Sequence, residues 1–88
     1  MNREEMNEAL EGTGAMLANG YDDCILGIAE RCSKPLLVVY DTEKILEKLI
    51  DRDGMTYEEA REFFDFNIAG AWVGEGTPLF LTRLIEED

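Results

Sequence analysis

Residues 35–50, PLLVVYDTEKILEKLI, change hydrophobic period half-way along. Pro35 opens Leu36-Leu-Val-Val-Tyr40, a short apolar and β-branched run, which reads as a strand. Asp41 follows as a helix N-cap, because its carboxylate can accept the free backbone N–H groups of the first turn. Beyond it Ile45, Leu46, Leu49 and Ile50 recur at helical spacing on one face. A chain that passes from strand to amphipathic helix across one capping residue needs a sheet with a helix laid on it. An all-helical or all-β fold does not suit it.

The flanking segments extend this pattern. Cys24-Ile-Leu-Gly-Ile-Ala29 is a second short apolar run, a candidate buried strand, and six residues separate it from Leu36. That gap suits an antiparallel hairpin. Gly54 stops the helix after Asp41, and Thr56-x-x-Glu59 is a capping box that opens another. In that second helix Tyr57, Ala60, Phe64, Ile68 and Ala71 form the apolar stripe, with Glu58, Glu62 and Asp65 on the other side. Pro78-Leu-Phe-Leu-Thr82 reads as a last strand, beside one of the first two. At the start, Asn2 and REEMNEALE predict a short capped helix that Gly12 and Gly14 end or interrupt. The expected fold is α+β: a small, mainly antiparallel three-stranded sheet with two to three helices packed on one face. The 88 residues make a single domain, divided into an N-terminal helical segment (1–18), a core (19–82) and an acidic tail (83–88).

Charge narrows the function classes. Twenty acids face eight bases, a net charge of −12. Direct binding to nucleic acid needs clustered lysine and arginine to displace counterions, so no direct nucleic-acid partner is expected. Such acidity has two readings: solubility, or carboxylates that imitate phosphates in a basic groove of a partner. No apolar run approaches the length of a membrane span, and the acidic, polar start is unlike a secretion signal, so a cytoplasmic protein with no membrane partner is expected. Cys24 and Cys32 fit no zinc or redox spacing and read as buried reduced thiols, with a disulfide as the alternative.

The motifs that suggest chemistry weaken on inspection. FNIAGAWVGEGTP, residues 66–78, is glycine-rich, but a helix precedes it and a strand follows, the reverse of a dinucleotide loop. Glu75 would also repel phosphate. The stretch reads as a joint, in which Gly70 permits close packing and Gly74 and Gly76 supply unusual backbone geometry. Asp51-Arg-Asp-Gly54 resembles a calcium loop, yet the twelfth position falls on Ala60. Asp22 and Asp23 read as a solvated turn, with a magnesium site as the outsider. The chain contains no histidine, the commonest general base, and neither cysteine has an electropositive sequence neighbourhood. The expectation is therefore no enzyme, no catalytic residue, no metal and no cofactor.

Binding residues are easier to nominate. Phe66 projects near Glu59 and Glu62, so it is either covered by another element or exposed for a partner. Trp72 is either a lid on the core or an interface anchor. Asn67 lies near the apolar stripe and would hydrogen-bond the following loop. The candidate partner-binding set is Glu58, Glu59, Glu62 and Asp65, with Phe66 or Trp72 as anchor.

GYDD at 20–23, ILGIAERC, VVYD at 38–41 and DGMTYEEAREFFDFNIAGAWVGEGTP at 53–78 resemble a family of small, largely uncharacterised proteins of tailed bacteriophages. The resemblance covers roughly residues 19–82 and brings no catalytic residues with it. It implies a phage origin and a role in the cytoplasm of the infected host. Together these readings predict a non-enzymatic acidic phage protein that binds and inhibits a host protein, in an anti-defence or takeover role, with a nucleic-acid-binding protein as the partner. The alternative is a self-assembling homo-oligomeric structural module.

Overall fold

The computed structural model describes residues 3–18, 20–30, 32, 34, 36–71, 74 and 76–84. Helix α1 (Arg3–Ala9) comes first, and a single 3₁₀ turn (Asp22–Cys24) leads into strand β1 (Ile25–Ala29). Strand β2 (Leu37–Asp41) runs directly into helix α2 (Thr42–Asp53), and helix α3 (Tyr57–Phe63) continues into a π-helical stretch (Phe64–Ala69) before strand β3 (Leu79–Leu81). The α+β class, the order of elements and the three-stranded sheet are those the sequence implies.

The local signals act as the residue chemistry predicts. Asp41 is 3% exposed and its Oδ1 accepts from the Glu43 N–H at 3.0 Å and the Lys44 N–H at 3.4 Å, capping α2. Gly54 closes that helix in the left-handed conformation, φ 70°, and its N–H donates to the carbonyls of Ile50 and Leu49. Thr56 and Glu59 form the full reciprocal capping box: the Glu59 N–H donates to Thr56 Oγ1, and the Thr56 N–H donates to Glu59 Oε1. The N-terminal segment is less helical than its sequence suggests. Only Arg3–Ala9 is helical, and residues 14–18 are irregular, while Met6 and Leu10 reach the core. Asn2 and Pro35 lie outside the described residues.

Strand β2 is central, with β1 antiparallel on one side and β3 parallel on the other. The antiparallel hairpin is the expected one, but the sheet as a whole is mixed and not mainly antiparallel, because β3 joins parallel to β2. The parallel pair requires a long crossover, which α2, α3 and the π-helical stretch provide. Val38 and Tyr40 of β2 are fully buried and share one cluster with Ile45, Leu46 and Leu49 of α2, Ala60 and Phe64, and Met6 and Leu10. All helices therefore contribute to one face of the sheet. Phe80 of β3 joins that face: its ring lies 5.8 Å from Tyr40, nearly parallel, and 5.3 Å from Phe64, edge-on.

Strand β1 shows why a purely alternating pattern was absent from its sequence. Ile25 pairs with Tyr40 and Ile28 with Val38, and both isoleucines pack on the core. Residues three apart point to opposite faces in a regular strand. A bulge between Ile25 and Gly27 shifts the register and lets both face inward. Leu26, at the bulge, is left 44% exposed.

Several burial expectations need correction. Ala60 and Phe64 are buried and Ile68 half-buried, but Tyr57 is 56% exposed and Ala71 is exposed. Ala71 lies beyond the π-helical stretch, where the single helical period assumed for the stripe no longer holds, while Tyr57 stands exposed at the first position of α3. Cys24 is buried as expected. Cys32 is exposed, because it lies in the polar connection after β1, and neither cysteine is disulfide-bonded.

Candidate functional site

The exposed side of α3 carries most of the nominated residues. Glu58, Glu59, Glu62 and Asp65 are all exposed, and Phe66 is 77% exposed. Of the two readings of Phe66, the structure shows the uncovered one. Glu58 and Glu62 stand one turn apart on the side of α3 away from the buried Ala60, and Phe66 follows in the π-helical stretch. Trp72, the second nominated anchor, lies outside the described residues, as does Glu75.

The structure sorts the four acids. Glu59 is engaged at home, its carboxylate accepting the Thr56 N–H at 2.9 Å. Asp65 sits 3.4 Å from the Arg61 guanidinium, one turn back. Arg61 also lies over the Phe64 ring at 5.5 Å. Glu58 and Glu62 make no ion pair among the described residues. They are like charges one helical turn apart, an arrangement that costs about 0.2–0.5 kcal/mol. Sequence inspection missed Phe63, which is 37% exposed and borders a shallow hollow of about 300 Å³ with Met55, Glu59, Glu62 and Asn67. Its position in the wheel, between the two faces, was the available signal. Asn67 is itself exposed and not the buried loop anchor expected, because the π-helical stretch carries it to the surface.

The helix α2 surface differs in its charge balance. There Asp23, Lys44, Glu47, Lys48 and Asp51 surround an open hollow of about 450 Å³. Lys48 Nζ donates to Asp23 Oδ1 at 2.8 Å, and this bond holds the Asp23 carboxyl below its ordinary pKa. Tyr21 lies beneath two cations, Lys48 at 5.9 Å and Arg52 at 5.5 Å. Arg52 forms a two-pronged bond to Asp53, so the calcium-loop lookalike is a helix end in which these two charges pair with each other. Among the described residues no three His, Cys, Asp or Glu side chains group closely enough to hold a metal ion. Beside Asp23, burial pushes the Cys24 thiol up to about 11, and the neighbouring carboxylate adds to the effect.

The glycine-rich stretch acts as a joint where it is described. The Met16 N–H donates to the Gly76 carbonyl at 2.9 Å, so this loop pairs with residues 14–16 near the other end of the chain. Thr77 secures the turn, its N–H and its hydroxyl both donating to the Gly74 carbonyl, at 3.1 and 2.6 Å. Behind this pairing lies an apolar hollow of about 430 Å³, bounded by Leu17, Tyr21, Asn67, Ile68, Thr77 and Phe80 among others. Three distant segments build it, so no local motif could announce it.

No family model, curated protein or solved structure matches this chain. The functional reading therefore rests on the geometry. No helix among the described residues is long and apolar enough to cross a membrane.

Proposed function

We propose that this protein acts by binding, not catalysis, and that the ridge formed by Glu58 and Glu62 of α3 with Phe66 of the π-helical stretch docks in a basic groove of another protein and blocks it. One observation carries this reading: two carboxylates that have no ion-pair partner among the described residues stand on the exposed side of α3, followed by a phenylalanine that is 77% exposed. Isolated, such a ridge is a liability, since the acids repel and the ring is wetted. Against a cationic surface with an apolar pocket both costs are relieved, and the complementary fields also speed encounter. Glu59 and Asp65 border the ridge and extend its negative field, although each has a partner of its own.

The partner we infer is a nucleic-acid-binding protein, because a groove built for phosphates presents the required positive charge. The likeness of residues 19–82 to tailed-phage proteins supports placing that partner in an infected bacterial host, where occupation of the groove would inhibit it.

The test is a pull-down from bacterial lysate with wild type and with the Glu58→Lys/Glu62→Lys/Asp65→Lys variant, washed at low and high salt. The expected result is a basic host protein retained by wild type at low salt, then lost at high salt and lost with the variant. Circular dichroism should show the variant folded. Capture of the same protein at full strength by the folded variant would place the contact elsewhere.

A further inference from the structure

The hollow of about 300 Å³ beside Phe63 combines acceptors with apolar surface. Glu59, Glu62, Phe63 and Asn67 recur at steps of three and four along α3 and its continuation, so they share one side. Met55 completes the lining. It packs against the core, and its N–H donates to the Leu49 carbonyl at 3.3 Å. The capping box fixes Glu59 through Oε1 alone, and its other oxygen takes no hydrogen bond among the described residues. Glu62 and the Asn67 side chain have no hydrogen-bond or ion-pair partner among the described residues. No lysine or arginine lines the hollow. Arg61, between the two acids in sequence, turns instead to Asp65 at 3.4 Å and the Phe64 ring at 5.5 Å.

We propose that this hollow receives one arginine side chain of the partner; the inference rests on the docking reading above and names the group that enters. Charge complementarity selects a cation. Two carboxylates one turn apart on the same side of a helix repel, and a positive charge between them relieves the repulsion. The rest of the lining selects arginine over lysine. A guanidinium is planar and weakly hydrated, so it stacks on an aromatic ring while its five N–H groups reach acceptors at its edge. Here Phe63 supplies the ring, and the Glu59 and Glu62 carboxylates and the Asn67 amide oxygen are the acceptors. A lysine ammonium is a compact, strongly hydrated charge and gains less from the ring. The chain already makes one such pairing itself, Arg61 over Phe64. The volume lies at the small end for ligand pockets, which suits a single inserted side chain. Arginine is also the residue that phosphate-binding grooves display for two-pronged contacts. The side chain that would grip a nucleic acid is the one occupied here.

The probe is N-acetyl-arginine amide, titrated to about 50 mM into the full chain at constant ionic strength and followed by amide chemical shifts. The expected result is saturable shifts centred on Met55, Glu59, Glu62, Phe63 and Asn67, with a Kd of about 10 mM. N-acetyl-lysine amide should bind at least about threefold more weakly, and the uncharged N-acetyl-citrulline amide should not bind measurably. Glu62→Gln and Phe63→Leu should each weaken arginine binding at least about threefold. The leucine keeps the apolar bulk and removes only the ring. Glu47→Gln, which takes the same charge from the exposed side of α2, should leave binding unchanged. Shifts spread over every acidic surface, equal binding of the lysine probe, or indifference to Glu62→Gln and Phe63→Leu would overturn the proposal. The two readings fail separately. If the Glu58→Lys/Glu62→Lys/Asp65→Lys variant loses the basic host protein while the probe ignores the hollow, docking stands and the arginine seat is wrong. If the probe seats as expected while host capture is indifferent to those acids, only the docking reading is lost.

Discussion

The sharpest test of the fold is Gly76→Ala. Gly76 is buried, and a Cβ built on it would run into the Gly14 carbonyl oxygen, with the carbonyl carbon 3.1 Å away and the Ala15 Cα 3.4 Å away. All three obstacles are backbone atoms, so no side chain can rotate out of the way. Nor can residue 76 easily recede, since Thr77 ties the adjoining turn to Gly74 through two hydrogen bonds. Overpacking of this kind costs about 1–3 kcal/mol, and separating the strands weakens the Met16–Gly76 bond, worth about 1 kcal/mol more. A total loss of about 2–4 kcal/mol is large against the stability of about 4–13 kcal/mol expected for a domain of this size. At about 4–8 °C per kcal/mol it should lower Tm by roughly 8–32 °C. Gly12→Ala is the control. Gly12 has φ 80° but nothing near its Cβ position, so only backbone strain of about 1 kcal/mol applies there. Thermal and urea unfolding of the two variants, followed by circular dichroism, would decide the matter. A Gly76→Ala protein as stable as Gly12→Ala would mean that the two backbones do not meet in solution.

Two further outcomes follow from the site. Glu62→Lys removes the Glu58–Glu62 repulsion and creates a favourable acid-before-base pair, so it should raise stability by about 0.4–1 kcal/mol while weakening partner binding; a thermal melt with no gain would show that the two acids do not interact. For Cys24, burial raises the folded pKa to about 11 from an ordinary 9.0, so the native state holds its proton more tightly than the unfolded state. That stabilisation is complete below about pH 9 and fades between pH 9 and 11, a swing of about 2 kcal/mol. The unfolding free energy of wild type minus that of Cys24→Ala should fall over this window. At pH 8 a thiol reagent should label the exposed Cys32 in the native protein and Cys24 only after unfolding; equal native rates would contradict the buried placement.

What the sequence determined by itself is local. Asp41, Gly54, Thr56 and Glu59 announced where α2 begins and ends and where α3 begins, because caps involve atoms only two to five residues apart. The period change at Tyr40–Asp41 gave the central strand and the helix after it, and hence the α+β class. Glu58, Glu62 and Phe66 could be placed on the outer side of their helix from spacing alone. Everything decided by contacts between distant segments stayed hidden. The parallel seat of β3 beside β2 depends on how the whole α2–α3 crossover packs. The bulge that turns Ile25 and Ile28 inward together depends on the register against Val38 and Tyr40. The π-helical stretch breaks the single period that placed Ala71 in the core, and Tyr57, at the first position of α3, is exposed. The meeting of Gly76 with Gly14 joins residues near opposite ends of the chain. Only the tertiary structure could show that Phe66, Leu79 and Leu81 are exposed, because exposure depends on which other segments reach the surface as well as on the residue itself.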